Sequence, residues 1–411
     1  MTEHTQLPRA TAGFSLIELL VSMVIGLVVT LAITSVMIRG EATKRSTTSV
    51  NDVSQTGAYT TYLLDRAIRS AGSGFSQSWL TTYGCRLDVS QSTPTALHVL
   101  PLPSAINSGS AFAKVTSTTL PVRLAPVIIA KDLANPTSSD VRGDVLMVMG
   151  GTAGFGESPM LVVPGSVSAT NLRLANTIVF RTGDLFLLAD SSVTNGCMVQ
   201  QVLFPTATTG STDQNLPLGG TYYSAAGTNV NLANFGASTT ALQLGNVTDN
   251  MPQFQMYGVG SNNTLVSYDL LQANPTGANI DVPIADGVVE LRALYGTDTS
   301  PATNTITWID PSSSGWDAAA LMDGSSASQT RLKRIVSIRL GLILRTSLEE
   351  RTPASTSDAA LSYQRASADV KLFSDLGSAL ERTRTLTGSE LNYRYRTFEV
   401  TIPLRNVTLA P

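Results

Sequence analysis

Gly13-Phe14-Ser15-Leu16-Ile17-Glu18-Leu19-Leu20-Val21 opens a run to Ile38 in which Glu18 is the single ionisable side chain. At ~1.5 Å per residue, residues 14–38 make a helix of roughly 37 Å, enough to cross a bilayer with some tilt. An ordinary secretory signal places its apolar core before the cleavage site and ends in a small-x-small pattern. Here Gly13 precedes the core, so a cut after Gly13 keeps the helix and leaves Phe14 with a free amine. Arg9 stands against Glu3 on one side, and Arg39, Lys44 and Arg45 lie on the other, so charge alone does not orient the segment.

A carboxylate inside a spanning helix costs on the order of 3 kcal/mol and is usually paired or functional. Glu18 lies four residues after Phe14, near the polar boundary. One reading is a helix-end acid favoured by the N-terminal dipole. The other is a partner for the freed amine of Phe14 on a neighbouring chain, a pair that would set the axial register between subunits.

The stretch 13–21 resembles the class III signal of type IV prepilins and of the related type II secretion pseudopilins. That resemblance implies cleavage between Gly13 and Phe14 by an integral-membrane prepilin peptidase. It also implies N-methylation of Phe14 and pairing of Glu18 with a subunit amine during assembly. One departure is Ser35, which stands where many major pilins carry a helix-kinking proline, leaving Gly26 as the weak spot.

Beyond the anchor, Val50, Val53, Gly57, Leu64, Ile68 and Ala71 recur at three- and four-residue steps, with Asp52, Gln55, Asp65, Arg66 and Arg69 mostly on other faces. The helix is therefore expected to continue to Gly72 and Gly74, which stop it. From Trp79 the pattern changes to short β-like runs separated by Gly, Pro, Asn, Asp and Ser. Expected strands are 96–100, 122–130, 144–149, 172–181, 185–188, 198–204, 254–257, 264–271, 288–295, 305–309, 334–345 and 395–405. In 334–345, Val336, Ile338, Leu340, Leu342 and Leu344 alternate with Ser337, Arg339, Gly341 and Arg345, which predicts a strand buried on one face. The stretches 206–246 and 301–330, rich in Gly, Ser, Thr, Asn and Ala, read as long polar loops.

Several ordered blocks resemble the PilW family of type IV pilus minor pilins: Leu64 to Gly72, Gly183 to Asp190, Val288 to Thr297, Ile335 to Arg345 and Phe398 to Asn406. The resemblance implies an α+β, type IV pilin-like fold: a long N-terminal α-helix, half membrane anchor and half amphipathic, packed on a large antiparallel β-sheet head with long polar loops. The expected domains are a leader at 1–13, a transmembrane and assembly helix at 14–38, its amphipathic continuation at 39–72 and a β-rich head at 73–411. The implied function is a minor pilin that primes or caps the filament with other minor pilins through its N-terminal helix. A J-type pseudopilin of type II secretion and a tip adhesin are the alternatives. Expected partners are other minor pilins and the major pilin, the prepilin peptidase, an inner-membrane assembly platform, and membrane lipid before assembly. The expected location is the inner membrane, single-pass with a periplasmic head, and then the pilus surface, at its tip.

Composition excludes other classes. With 43% hydrophobic and 14% charged residues and a net charge of −3, the chain has no electrostatic footprint for nucleic acid. Cys85 and Cys197 are the two cysteines. In an exported domain they suggest one disulfide, worth ~4–5 kcal/mol for so long a loop; two separate buried thiols are the other reading. His4 and His98 are the two histidines, too few for a Ser-His-Asp set with one in the leader, and no His/Cys cluster has metal spacing. No catalytic residue, cofactor or metal is expected, and the chain is not read as an enzyme. Gly150 to Gly156 lacks the Lys-Ser/Thr of a phosphate loop and reads as a turn. Arg142-Gly143-Asp144 reads as a turn rather than an adhesive tripeptide, and Asp298, Asn304 and Asp310 lack the oxygen spacing of an EF-hand.

Overall fold

The computed structural model describes Gly13 and residues 15–92, 97–100, 110–115, 122–134, 143–153, 158–190, 196–204, 206–207, 214–272, 281–298, 305–349 and 367–409. The chain divides into two compact units, one up to Asp52 and one from Val53. Helix α1 runs Leu16–Ser70, and its closing part belongs to the second unit.

In that unit α1 buries Val53, Gly57, Thr60, Leu64, Ala67 and Ile68. Their spacing is one stripe of an amphipathic helix. Gly57 is required by close approach: a Cβ there would run into the Phe398 ring. Gly72 and Gly74 each have φ +80°, a conformation that costs glycine little and other residues more. The helix end is tied down on two sides. The Gly72 N–H donates to the Met149 carbonyl at 2.8 Å, and Asn406 Nδ2 donates to the carbonyls of Ser70 and Ala71 at 3.2 and 3.1 Å. The Asn406 bonds supply partners for carbonyls that a helix terminus leaves open.

Among the described residues the β-rich part forms five sheets. Six strands order as Leu97–Leu100, Arg86–Gln91, Gly196–Gln201, Asp184–Asp190, Thr239–Asn246 and Met160–Leu161. Five order as Val282–Asp286, Thr264–Asp269, Gln253–Val259, Val145–Gly150 and Val127–Ala130. Four order as Ile306–Ile309, Val288–Asp298, Ile335–Arg345 and Tyr395–Pro403. A three-stranded sheet and the hairpin of Asp369–Leu372 with Arg382–Thr385 complete them. Strands pair antiparallel except Arg86–Gln91, which runs parallel to Gly196–Gln201. Two central strands of the six-stranded sheet, Asp184–Asp190 and Gly196–Gln201, are buried on both faces. Leu185, Leu187 and Val199 point into the main core, while Phe186, Leu188 and Met198 point into a second one with Leu172, Leu174, Leu216 and Phe235.

The structure is α+β and pilin-like, as expected, with differences in detail. The strand Ile335–Arg345 is covered on both faces, because the hairpin seats Leu372 and Phe373 against Ile343 and Leu294 on the side read as solvent. Besides the expected strand at Ile306–Ile309, the stretches read as long loops carry further regular structure: Gln214–Pro217, Thr239–Asn246 and the helix Ser326–Arg334. Buried carboxylates order the connections between them. Asp88 accepts from the N–H groups of Thr228, Asn229 and Val230 at 2.8–3.1 Å. Asp190 accepts from the Gly236 N–H at 2.9 Å and from the Thr239 hydroxyl. Such bonds satisfy an anion that would otherwise be costly to bury.

Candidate functional site

The site suggested by sequence lies at the start of α1. Ser15 caps the helix: its Oγ accepts the Glu18 N–H at 3.2 Å, and its carbonyl accepts the N–H groups of Glu18 and Leu19 at 3.0 and 3.2 Å. Ser15 and Glu18 therefore stand at the N-cap and third helical positions, where a serine and a glutamate are both favoured. The Glu18 carboxylate is exposed in the first turn. Gly13 is exposed. Phe14 and residues 1–12 lie outside the described residues, so the expected cut and methylated amine do too.

From Leu16 to Ile38 every large apolar side chain is exposed, from 49% at Val29 to 84% at Leu16. The most apolar 18-residue window has a mean hydropathy of 2.6. Hydroxyls within this run are satisfied on the helix itself. Ser22, Thr30, Thr34 and Ser35 donate to the carbonyls of Leu19, Gly26, Thr30 and Ala32 at 2.6–2.8 Å. A helix with its polar groups satisfied internally can enter hydrocarbon without leaving a donor stranded. Helix α1 is continuous through Gly26 and Ser35.

In the second unit Cys85 and Cys197 are joined by a disulfide, with their Cα atoms 5.7 Å apart. The bond closes a sequence separation of 112 residues and lies beside the parallel pairing, in which Leu87 faces Cys197.

Other motifs find structural roles. Gly150 and Gly151 pack against the end of α1, where Cβ atoms would lie 2.7 Å from the Ser70 carbonyl and 2.8 Å from that of Leu244; residues 154–157 of that run lie outside the described residues. Asp144 is buried. Its carboxylate accepts from Arg292 Nη1 at 3.0 Å and from the N–H groups of Ala293 and Asp132 at 3.0 and 3.2 Å. Burial raises the Asp144 carboxyl above its ordinary range, with Arg292 and the two N–H groups pulling the other way. Burial also works against the Arg292 charge, yet Asp144 and Glu290 carry that guanidinium above its usual value. An acid held this way is not presented to a receptor; Arg142 lies outside the described residues. Asp310 is taken up by Lys131 at 3.0 Å and by Arg382, which disfavours a cation there; Asn304 lies outside the described residues. Among the described residues no group of three or more His, Cys, Asp or Glu side chains is placed to hold a metal ion. His98 sits in the strand Leu97–Leu100.

Sequence reading missed the Ser15 cap, although Ser-x-x-Glu ahead of an apolar run is its signature. It also missed the Arg292 cluster, whose members come from distant stretches and leave no local pattern.

Two family models match the chain. Residues 8–34 match the prokaryotic N-terminal methylation motif, which defines a prepilin-type protein anchored through an N-terminal helix. Residues 254–406 match the PilW family, type IV pilus-assembly protein W. The chain is similar to that family over residues 254–406, and the two matches together support a type IV pilus-related minor pilin. No curated protein and no solved structure matches it.

Proposed function

We propose that this minor pilin primes or caps a type IV pilus, joining other minor pilins and the major pilin through α1. The observation that carries the reading is the apolar surface of Leu16 to Ile38, exposed all round with its hydroxyls bonded inward. Water is the wrong solvent for such a surface; lipid before assembly, and other apolar helices after it, are the right ones. On this reading the prepilin peptidase cuts between Gly13 and Phe14 and Phe14 is N-methylated. Residues 14–38 anchor the chain in the inner membrane with its head in the periplasm until an assembly platform draws the helix into the bundle. Glu18 then pairs with the Phe14 amine of an adjacent subunit, a pairing that offsets a cost on the order of 3 kcal/mol for an acid in an apolar layer. The resulting subunit sits at the pilus tip, and its mechanism is assembly rather than catalysis.

Glu18→Val tests this. Processing should survive, with a mature N-terminus at methylated Phe14 by intact mass, while incorporation into sheared filaments falls at least ~10-fold, consistent with loss of a buried pair. Wild-type piliation and wild-type co-purification with the other minor subunits would sink the pairing. Retention of residues 1–13 on functional protein would sink the processing step.

A further inference from the structure

We propose that the open edge of the strand Tyr395–Pro403 receives an extended, acidic strand from a neighbouring filament subunit, joining two heads by main-chain hydrogen bonds. The proposal rests on the filament reading above.

The pairing pattern decides which groups are free. The strand pairs with Ile335–Arg345 without a register break, from Ser337 opposite Pro403 to Arg345 opposite Tyr395. The Leu404 N–H donates to the Val336 carbonyl at 2.8 Å, and the Thr346 N–H to that of Arg394 at 2.9 Å. In an antiparallel ladder bonded and non-bonded pairs alternate. The backbone groups of Arg396, Phe398, Val400 and Ile402 therefore face Ile335–Arg345, and those of Thr397, Glu399 and Thr401 face outward. No described strand lies on that side. All three outward residues are exposed. The Glu399 side chain is only 22% exposed, so much of what solvent meets there is main chain.

Such an edge is unusual because sheets normally blunt them. Four of the other described edges do so. Met160–Leu161 and Thr206–Ala207 are 2 residues long. Val282–Asp286 carries Pro283 and a register break, and Val127–Ala130 is buried along its length. Tyr395–Pro403 is 9 residues long and has its one proline at the end. A long, regular edge that no described strand covers is a template for strand addition.

Charge points to an acidic occupant. Arg394, Arg396 and Arg405 are exposed along or beside the strand. Its one acid, Glu399, is engaged by Arg339 at 3.0 Å and by the Phe373 N–H at 3.0 Å. Direction argues against a second copy paired about a two-fold axis. The strand runs alongside α1 in the same sense, with Arg396 at Ser54, Phe398 at Gly57 and Asn406 at Ser70. Antiparallel self-pairing would set the second units of two chains in opposite directions, whereas on the filament reading neighbouring subunits share one direction.

The test is amide exchange, resolved by residue, on the full chain alone in detergent and in sheared filaments. The Thr397, Glu399 and Thr401 amides should slow at least ~100-fold on assembly, as newly bonded amides do. Unchanged rates at these three in filament-borne chain would overturn the edge proposal and leave the filament reading standing; absence of the chain from filaments would overturn both. A second arm uses proline, which removes an outward N–H without touching the bonds to Ile335–Arg345. Thr397→Pro with Thr401→Pro should lower incorporation ~10-fold or more, while Thr397→Val with Thr401→Val should not, and Arg396→Glu should lower it further as ionic strength falls. Wild-type incorporation of the folded proline variant would also overturn the proposal.

Discussion

One helix contains two stretches that obey opposite rules. From Leu16 to Ile38, α1 is apolar on every side and wholly exposed. From Val53 to Arg69 it mixes Asp65, Arg66 and Arg69 with a single apolar stripe, and that stripe is buried. Hydrophobic density and burial are thus inverted along one element. Packing within this chain explains the second stretch and has nothing to say about the first, whose partners must come from outside it. The comparison separates what the chain stabilises by itself from what it offers to a membrane or to other helices.

Matched truncations should break the symmetry most. Ile68→Ala removes a fully buried side chain and is expected to destabilise the second unit by about 2–5 kcal/mol, read from its denaturant midpoint. Val24→Ala removes a comparable group that is 54% exposed and should leave that midpoint unchanged. Equal losses from both would mean that the first stretch has packing partners of its own.

Alkali should separate the two stretches next. Burial, with Asp269 adding to it, pushes the Tyr257 phenol up to about 12; burial also raises Tyr83 and Tyr295. A phenol whose folded pKa is raised contributes stability that is complete below its ordinary value near 10 and lost as pH climbs through the folded value. For Tyr257 that loss is about 2–3 kcal/mol. In lipid vesicles the near-ultraviolet signal of the second unit should therefore collapse between roughly pH 10 and 12, while the membrane helix keeps its far-ultraviolet signal. Loss of both together would show the stretches to be one cooperative unit.

Gly57→Ala probes the seat of Phe398. Alanine favours a helix over glycine by about 1 kcal/mol, but its Cβ would meet the Phe398 ring, an overpacking that typically costs 1–3 kcal/mol. A net destabilisation of about 1 kcal/mol is expected, relieved when Phe398→Leu is added, and a double-mutant cycle reads the coupling.

How far these features were legible follows from how local their causes are. The stripe Val53, Gly57, Leu64, Ile68 shows in the sequence because helix periodicity is local and its polar neighbours are charged. The far side of Ile335–Arg345 does not, because Arg339 and Arg345 mark it as solvent-facing, while the hairpin that covers it reads Asp-Val-Lys-Leu and Arg-Thr-Arg-Thr. The strand Thr239–Asn246 hides among threonines and glycines, and Asp88 organises residues 228–230 from 140 or more positions away. Contacts of that range leave no periodic trace. The Gly13, Phe14 and Glu18 spacing is likewise a local, peptide-length pattern, whereas the Arg292 cluster needed coordinates.

The smallest effect bears most directly on the exposed stretch. Ser15 is the side chain that caps α1 at Glu18. Replacing a serine N-cap by alanine costs about 0.5–2 kcal/mol, and at ~1 kcal/mol the first turn should open several-fold more often. In Ser15→Ala, amide exchange at Glu18 should rise by roughly fivefold in vesicles, while Ser15→Asp, another good cap, should hold it near the wild-type rate. The second unit should not respond, since nothing in its core depends on that turn. If Ser15 serves only the helix, incorporation into filaments should fall in proportion to fraying and return with Ser15→Asp. If it returns with exchange restored and Glu18 intact, but not in the Glu18→Val background, then the cap acts by holding the carboxylate at the height where an adjacent amine can reach it.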